Sequence, residues 1–437
     1  MRYRAIFASV LLLLGACWFA SAQRIGVREE VRADWIKSSG LDCVIDWSPK
    51  QLTPAPEGYE AVYVEHYGRH GSRYAYTARA YTILLRMLRA GRDKNNLTDY
   101  GAALLDRFEK FYAFAEHRVG DLTPLGWNQH QEIAKTMVSS FPTAFPEDCV
   151  IDACSSASER SIVSMSSFCV SLARILPKAD IYAHQSNMDI QATRPNMGVN
   201  PFKYSGPDDP FPFPESSEEF FLRRFPNYND VLARLFKDTK HALGKWTAYD
   251  AFFNLYMFVG GMNSLPEDVR FDVSDFFTVE EYATLWETDN YERYREYRPY
   301  RTSCSSIVDD IVAKADARLA SCKRGADLRF GHDHVVMALL MVMDIDDFDV
   351  VPEKADDLVL WFQTFRSPMA ANIQLVFYEP KCCAGKHQVA PEKVLVKVLL
   401  NGEEARFGKL PTADGPYYRW SDLKSYFTAR TAKFVYR

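Results

Sequence analysis

His70 stands between two arginines, Arg69 and Arg73, in a short segment with the sequence RHGSR. The planar guanidinium fork of arginine matches the oxygens of a phosphate group, so the two arginines predict a phosphate site. A histidine held beside a bound phosphate can attack the phosphorus as a nucleophile. Gly68 and Gly71 lack a Cβ atom, which lets the backbone turn sharply and approach a ligand closely. The segment therefore predicts phosphoryl transfer through a phosphohistidine.

Two later segments supply candidates for the remaining groups of such a site. Arg160 follows a serine-rich run at 155–158, where a strand is expected to pass into a helix. His332 and Asp333 follow a predicted strand at 327–331. For the arginine, the alternative is a residue of the first helical turn that points to water, and for the His-Asp pair it is a helix cap. The presence of the first motif favours the phosphate-binding interpretation.

Strand and helix patterns alternate along the chain, and these motifs fall where predicted strands end. The predicted strands are the segment that leads into Arg69, and residues 149–154, 181–190, 327–331, 373–378 and 394–400. The predicted helices are 78–118, one that opens at Pro124 behind the N-cap Thr123, 162–176, 305–322 and 335–343. The last of these is apolar on nearly all sides and is therefore expected to be buried. Ligands of α/β folds bind outside the carboxyl ends of the strands, which is where both turns lie.

A change in composition separates an inserted segment from the rest of the chain. Six prolines fall within 195–214 and exclude regular helix there. Residues 216–300 then follow a helical pattern rich in aromatic residues. We therefore predict an α/β catalytic domain made of 23–190 and 301–437, with a mostly helical cap inserted at 191–300.

The N-terminal residues 1–22 have the pattern of an export signal. Arg2 and Arg4 precede a short apolar run, and a small-x-small cleavage site at 20–22 follows it. The run is too short to span a membrane, and no transmembrane segment is predicted. We expect an exported protein, periplasmic or secreted; the alternative is a lipoprotein anchored at Cys17.

Charge and cysteine content narrow the classes of partner. The 437 residues carry a formal net charge of -5, which gives no indication of nucleic-acid binding.

Eight cysteines follow the signal segment, and this even number permits disulfides in an exported chain. Free buried thiols are the alternative. Their spacing does not fit a metal site, so neither a metal nor another cofactor is expected.

Together the motifs resemble those of the histidine acid phosphatases, the branch of the histidine phosphatase superfamily that includes phytases. The likeness is greatest to the bacterial multiple inositol polyphosphate phosphatases and covers almost the whole mature chain. It rests on 65–74 (EHYGRHGSRY), 122–126 (LTPLG), 326–333 (ADLRFGHD) and 417–420 (YYRW). The resemblance implies an α/β fold, a phosphoglycerate-mutase-like sheet flanked by helices, with an inserted helical cap.

The resemblance also implies roles for individual residues. His70 is the expected nucleophile, and Asp333 is the expected proton donor. The expected phosphate-binding residues are Arg69, Arg73, Arg160 and His332. His66 and His334 are interpreted as structural. Ala75 stands where the family motif has proline. An acidic pH optimum is expected because the donor must carry a proton in the first step.

The expected substrate is a small molecule, an inositol polyphosphate such as phytate. A basic run in the cap is the candidate for selecting it: Arg223, Arg224, Lys237 and Lys240. For each of these residues the alternative is an ordinary solvated helix face. Because the catalytic motifs do not identify the substrate, a broad-specificity acid phosphatase or a sugar-phosphate phosphatase is the alternative enzyme. From a different class, the alternative is a non-catalytic protein that binds phosphate ligands.

Overall fold

A computed structural model describes residues 26–195 and 210–434, and its centre is a mixed eight-stranded sheet. The strands are β1 (Tyr59–Arg69), β2 (Val150–Ser155), β3 (Asp180–His184), β4 (Gly325–Gly331), β5 (Asn372–Pro380), β6 (Leu395–Leu400), β7 (Glu403–Glu404) and β8 (Tyr417–Arg419). Their order is β3-β2-β4-β1-β5-β6-β7, and β8 pairs with β6. Strands β3, β2, β4 and β1 are parallel, whereas β5 and β6 are antiparallel to their neighbours.

Helices surround this sheet. They are α1 (Val27–Ala33), α2 (Arg79–Asp93), α3 (Asp99–Ala115), α4 (Pro124–Ser140), α5 (Glu159–Ile175), α6 (Ile190–Thr193), α7 (Ser217–Arg224), α8 (Tyr228–Leu235), α9 (Ala248–Gly261), α10 (Val279–Tyr297), α11 (Tyr300–Ser321), α12 (Asp333–Met343) and α13 (Trp420–Thr431). Helix α4 begins where the sequence predicted. Thr123 is the N-cap, and its hydroxyl accepts from the Gly126 backbone N–H at 3.2 Å. Pro124 is the first helical residue.

The two faces of the sheet bury different hydrophobic clusters, because successive side chains of a strand point to opposite faces. Tyr63 of β1 packs in the cluster that contains helices α11, α12 and α13. Its neighbour Val64 packs on the opposite face, in the cluster that contains α4 and α5. Every side chain from Val335 to Met343 in α12 is at most 1% exposed, which confirms the prediction that this helix is buried. This sandwich of helices around a mixed sheet confirms the predicted fold class.

A third cluster forms the core of the helical part of the molecule. It joins residues of α7 to α10, such as Phe252 and Trp286, to residues of α2 and α3, such as Leu88 and Phe108. The helical layer therefore draws on residues 79–115 as well as on the segment that was predicted to form the cap. The boundaries 191–300 for a separate cap domain stay a prediction.

The strand predicted at 181–190 is shorter in the structure. Strand β3 ends at His184, which forms the last pair with β2, at Cys154. The Asp189 carboxylate then accepts from the Ser186 backbone N–H at 2.6 Å, and α6 begins one residue later. A turn and a short helix replace the second half of the predicted strand.

Some sequence predictions concern residues that the structure does not describe. The export signal at 1–22, Cys17 and most of the proline-rich segment lie outside the described residues.

The eight cysteines from Cys43 onward are all free thiols, which agrees with the interpretation as free thiols rather than disulfides. Within 26–195 and 210–434, no helix is both long and apolar enough to cross a bilayer.

Candidate active site

The register of two parallel strands brings two turns together. One is the nucleophile turn, which carries the predicted nucleophile His70, and the other is the His-Asp turn, which carries His332 and Asp333. Arg69, the last residue of β1, pairs with Gly331, the last residue of β4. The backbone N–H of His70 donates to the Gly331 carbonyl at 3.0 Å. The rings of His70 and His332 therefore lie edge to face, with 5.7 Å between their centroids. Residues that are roughly 260 positions apart in sequence form one corner of a cleft.

Strand β2 contributes the serine-rich junction to the same corner. The Ser156 backbone N–H donates to the Phe330 carbonyl at 2.9 Å, which continues the pairing of β2 with β4. The Ser156 hydroxyl then lies 2.9 Å from Nε2 of His332. Helix α5 starts at Glu159, so Arg160 stands in its first turn and reaches the cleft.

A cavity of about 190 Å³ occupies this corner between the sheet and the helical layer. Five of the ten residues predicted to form the site line it: His70, Arg73, Arg160, His332 and Asp333. Arg69 lies directly behind the cavity, fully buried. The remaining four predicted residues, those of the basic run, lie elsewhere.

The hydrogen bonding of His70 defines which ring nitrogen can act. Nδ1 lies 2.9 Å from the carbonyl oxygen of Gly71. A carbonyl can only accept, so Nδ1 carries the hydrogen and Nε2 of the neutral ring keeps its lone pair. Burial, followed by the charges of Arg69 and Arg160, holds the pKa of His70 well below its usual value. The ring is therefore neutral in mildly acidic solution and presents a free lone pair.

Two glycines allow the nucleophile turn to sit directly on the start of α4. A Cβ added at Gly71 would lie 2.5 Å from the Gly126 carbonyl oxygen, and one added at Gly126 would lie 2.2 Å from that of Ser72. The Ser72 carbonyl in turn accepts from the Thr123 backbone N–H at 2.9 Å and from its hydroxyl at 3.1 Å. The 122–126 motif thus fixes the backbone of the turn from behind.

Both oxygens of the Asp333 carboxylate are held. Oδ2 lies 3.4 Å from Nη2 of Arg69, and Oδ1 accepts from the His334 backbone N–H at 2.8 Å. Arg69 is itself braced, because its Nη1 donates to the Leu41 carbonyl and to the Ser367 carbonyl, the latter at 2.7 Å. Burial alone would raise the pKa of Asp333, but Arg69 and the side chain of His334 hold it well below the usual value. Asp333 is therefore a carboxylate.

The other arginines of the cavity differ in how they are paired. Arg73 lies 3.6 Å from Oδ1 of Asp42 and stacks over the Tyr76 ring at 5.3 Å. Arg160 and Arg194 have no carboxylate partner within the described part of the chain. Burial, followed by the charge of Arg73, lowers the pKa of Arg160 to about 10. Two guanidinium groups therefore face the cavity without an ion pair to a described carboxylate.

Sequence reasoning missed the helical side of the cavity. Arg194 follows α6, and Arg293, Glu296 and Tyr297 project from α10. The three residues of α10 are spaced i, i+3 and i+4, which does predict a common helix face. Charged residues at that spacing are, however, typical of any solvated helix. His334, interpreted from sequence as structural, also lines the cavity, with its Nδ1 3.4 Å from Oδ1 of Asp333.

The basic run predicted to select the substrate does not reach the cavity, because its charges are engaged or exposed elsewhere. Arg223 forms ion pairs with Glu215 at 2.9 Å and Asp356 at 3.0 Å. The other members also lie outside the cavity. Arg224 forms an ion pair with Glu287, Lys237 donates to the Asn95 carbonyl at 3.3 Å, and Lys240 is exposed to solvent. Of the two interpretations, the solvated helix face fits these contacts.

Among the described residues, no group of three or more histidine, cysteine, aspartate or glutamate side chains is arranged to hold a metal ion. The cationic groups of the cavity are arginines, which carry their charge without a metal.

Comparison with known proteins supplies solved structures of similar shape. No protein-family model matches the chain, and no curated protein matches it by sequence. A multiple inositol polyphosphate phosphatase from Bifidobacterium longum, solved with inositol hexasulfate, superposes with a TM-score of 0.68 at 18% identity and covers 89% of this chain and 97% of its own. The phytase from D. castellii gives 0.64 at 15% identity, covering 91% and 85%. The phytase from Citrobacter braakii gives 0.54 at 12% identity, covering 86% and 98%.

The chain has the fold of these phosphatases. The agreement extends over nearly the full length of each neighbour, so it includes both the sheet and the helical layer. It confirms the fold that the resemblance of the motifs implied. At identities below 20%, shape alone does not carry an activity from one chain to another, and the function has to be argued from the chemistry of the cavity.

Proposed function

We propose that this protein is a phosphomonoesterase that hydrolyses inositol polyphosphates such as phytate, with His70 as the nucleophile. The observation that carries the proposal is the state of that histidine. Its ring is buried, neutral and hydrogen-bonded through Nδ1, and it lines a cavity together with Arg73 and Arg160. A free imidazole lone pair beside guanidinium groups suits attack on a bound phosphate and little else.

In the first step, the arginines and His332 bind the non-bridging oxygens of a phosphate ester. Nε2 of His70 attacks phosphorus, the N–P bond forms, and the bond from phosphorus to the ester oxygen breaks. The electron pair of that bond leaves with the alkoxide, which takes a proton from Asp333. Phosphoryl transfer depends mainly on positioning and on charge stabilisation, which the fixed guanidinium groups supply.

The proton in this step has to come with the substrate. Before a substrate binds, Asp333 is a carboxylate: burial would raise its pKa, but Arg69 and the side chain of His334 hold that pKa well below the usual value. A phosphate monoester is partly a monoanion below pH of about 6, its second pKa, and can bring a proton into the cavity. The negative charge of the bound phosphate raises the pKa of the neighbouring carboxyl group and favours transfer of that proton to it.

In the second step, Asp333, now a carboxylate again, takes a proton from a water molecule that attacks the phosphohistidine. The N–P bond breaks, inorganic phosphate is released, and the neutral histidine is restored. Each turnover thus uses one ester and one water, and no metal or other cofactor is part of the proposal.

The choice of a polyphosphorylated substrate rests on the charge of the cavity. Arg194 lines the cavity beside the arginines that bind the first phosphate and forms no ion pair with a described carboxylate, so the cavity can neutralise more than one phosphate group. The neighbours of the same fold are described as inositol polyphosphate phosphatases and phytases, and one of them was solved with inositol hexasulfate. A broad-specificity acid phosphatase or sugar-phosphate phosphatase would need only the first phosphate site.

Phosphate release from phytate and from an aryl phosphate, by the wild type and by His70→Ala, tests the proposal. We expect release from phytate with higher catalytic efficiency than from the aryl phosphate, and loss of both in the variant. His117→Ala is the matched control, because that side chain is 89% exposed and outside the cavity. Equal efficiency on both substrates would support the broad phosphatase, and no release from either would support a non-catalytic phosphate-binding protein.

We also propose that the chain is exported and acts in the periplasm or outside the cell. The support is the pattern of residues 1–22, with its basic start, short apolar run and small-x-small site. Sequencing of the mature N-terminus tests this: Gln23 is the expected first residue, whereas a chain that begins at a lipid-modified Cys17 would indicate the lipoprotein.

A further inference from the structure

Glu296 is a carboxylate on the wall of a cavity that is otherwise suited to anions. It stands in the last turn of α10, one turn beyond Arg293, and both residues line the cavity. Nη1 of Arg293 donates to Oε2 of Glu296 at 2.7 Å, and its Nε donates to Oδ1 of Asp289 at 3.1 Å. Arg293 is thus held between two carboxylates.

The two partners of Arg293 differ in exposure. The side chain of Asp289 is 3% exposed and that of Arg293 is 8% exposed, so this pair is fixed inside the helical layer. The side chain of Glu296 is 36% exposed. Because the Glu296 carboxylate reaches into solvent, its i, i+3 ion pair with Arg293 is screened and weak, so Glu296 can turn away from Arg293 at little cost.

Glu296 is also the most accessible carboxylate of the cavity. The other two are Asp42, 10% exposed and paired with Arg73, and Asp333, 17% exposed and paired with Arg69. Those two carboxylates sit beside the nucleophile turn, whereas Glu296 faces the cavity from the helical layer. A second phosphate group on that side would meet its negative charge before it could reach Arg293.

We propose that Glu296 is a specificity-determining residue that covers Arg293 before a substrate binds and disfavours substrates with a second phosphate facing α10. A hydroxyl group at that position leaves the Arg293–Glu296 pair intact. A phosphate there has to displace the carboxylate, and it then gains Nη1 of Arg293 as a donor. The inference rests on the proposed function for its substrate class. It adds a residue that makes the affinity for a substrate depend on the number and position of its phosphate groups.

The test is Glu296→Gln, which keeps the size of the side chain and removes its charge. For phytate we expect KM to fall by roughly tenfold, the effect of removing about 1.4 kcal/mol of like-charge repulsion, with little change in kcat. For an aryl monophosphate, which has no second phosphate, the change in KM should stay below about twofold. The advantage of the variant on phytate should shrink at high salt, because a partly exposed charge is screened.

Glu280→Gln is the matched control. It removes the same charge from the first turn of α10, where Glu280 pairs with Arg32 outside the cavity, roughly 24 Å along the helix from Glu296. This variant should leave both KM values unchanged. A lower KM for phytate in both variants would show an effect of net charge alone and would overturn the proposal.

Calorimetric titration with inositol hexasulfate separates this inference from the proposed function, because binding requires no chemistry. We expect Glu296→Gln to bind the hexasulfate roughly tenfold more tightly than the wild type. If the wild type released no phosphate from any ester, the proposed function would fail, while the two affinities for the hexasulfate would still decide the role of Glu296. Unchanged or weaker binding in the variant, or no binding by either protein, would show that the proposal is wrong.

Discussion

Nη2 of Arg69 lies 3.4 Å from Oδ2 of Asp333, although 264 positions of the sequence separate the two residues. Arg69 is fully buried and donates to two backbone carbonyls, so its guanidinium group cannot follow a ligand. It therefore links the turn that carries the candidate nucleophile to the carboxyl group that is the candidate proton donor. The contact keeps that carboxyl group at the cavity wall and ionised before a substrate binds.

Substitution of Asp333 tests the role of proton donor. Asp333→Asn keeps the shape but cannot deliver a proton, so kcat for phytate, which has an alkoxide leaving group, should fall by roughly 10²–10⁴-fold. An aryl phosphate with an acidic phenol needs much less help, so its loss should be far smaller. Steady-state kinetics on both substrates measure the difference. Equal losses would assign the residue to binding or folding rather than to protonation.

The pH dependence of the reaction follows from the direction of two pKa shifts. Burial and the neighbouring arginines hold the pKa of His70 well below the usual value for histidine, so the nucleophile stays neutral on the acidic side of neutrality. The proton for Asp333 arrives with the phosphate monoanion, and this species is lost as pH rises through about 6. A profile of kcat/KM for phytate should therefore peak below neutrality and fall at higher pH. A maximum above pH of about 7 would contradict this mechanism.

The contact between the nucleophile turn and α4 predicts a strong effect of one methyl group. In Gly126→Ala the added Cβ would lie 2.2 Å from the Ser72 carbonyl oxygen, so the turn that carries His70 must shift. Because a misplacement of about 1 Å can cost roughly 100-fold in rate, kcat should fall by that order. Gly261→Ala, near a helix end with nothing within 4 Å, should retain full activity. Thermal melts of both variants separate a displaced turn from an unfolded protein.

Two arginine substitutions compare the cavity with the basic run. Arg160→Met removes an unpaired guanidinium from the cavity, so kcat/KM for phytate should fall by roughly 10–100-fold, the worth of charge-assisted hydrogen bonds. Arg223→Met breaks ion pairs with Glu215 and Asp356 outside the cavity, so kcat/KM should not change. A large fall in kcat/KM for Arg223→Met would show that the basic run does contribute to substrate selection.

Most of the fold was predictable because its elements follow local rules. Thr123 and Pro124 mark the start of a helix through capping chemistry, which depends on adjacent residues alone. The apolar run from Val335 to Met343 predicts burial whatever surrounds it. The length of β3 was mispredicted because the chain leaves the sheet in a turn that the Asp189 carboxylate holds, and the residue pattern of 181–190 does not show where pairing with β2 stops.

For the site, the sequence by itself determined the chemistry of the nucleophile turn and of the His-Asp turn, since residue types such as arginine and histidine define what each can bind or attack. Only the tertiary structure decided which charges share the cavity. Charge and spacing are the same for a residue at a cavity wall and for one on a solvated helix, so Arg223 and Arg293 could not be told apart. Their positions depend on how α7 and α10 pack against the sheet, and that packing is a property of the whole chain.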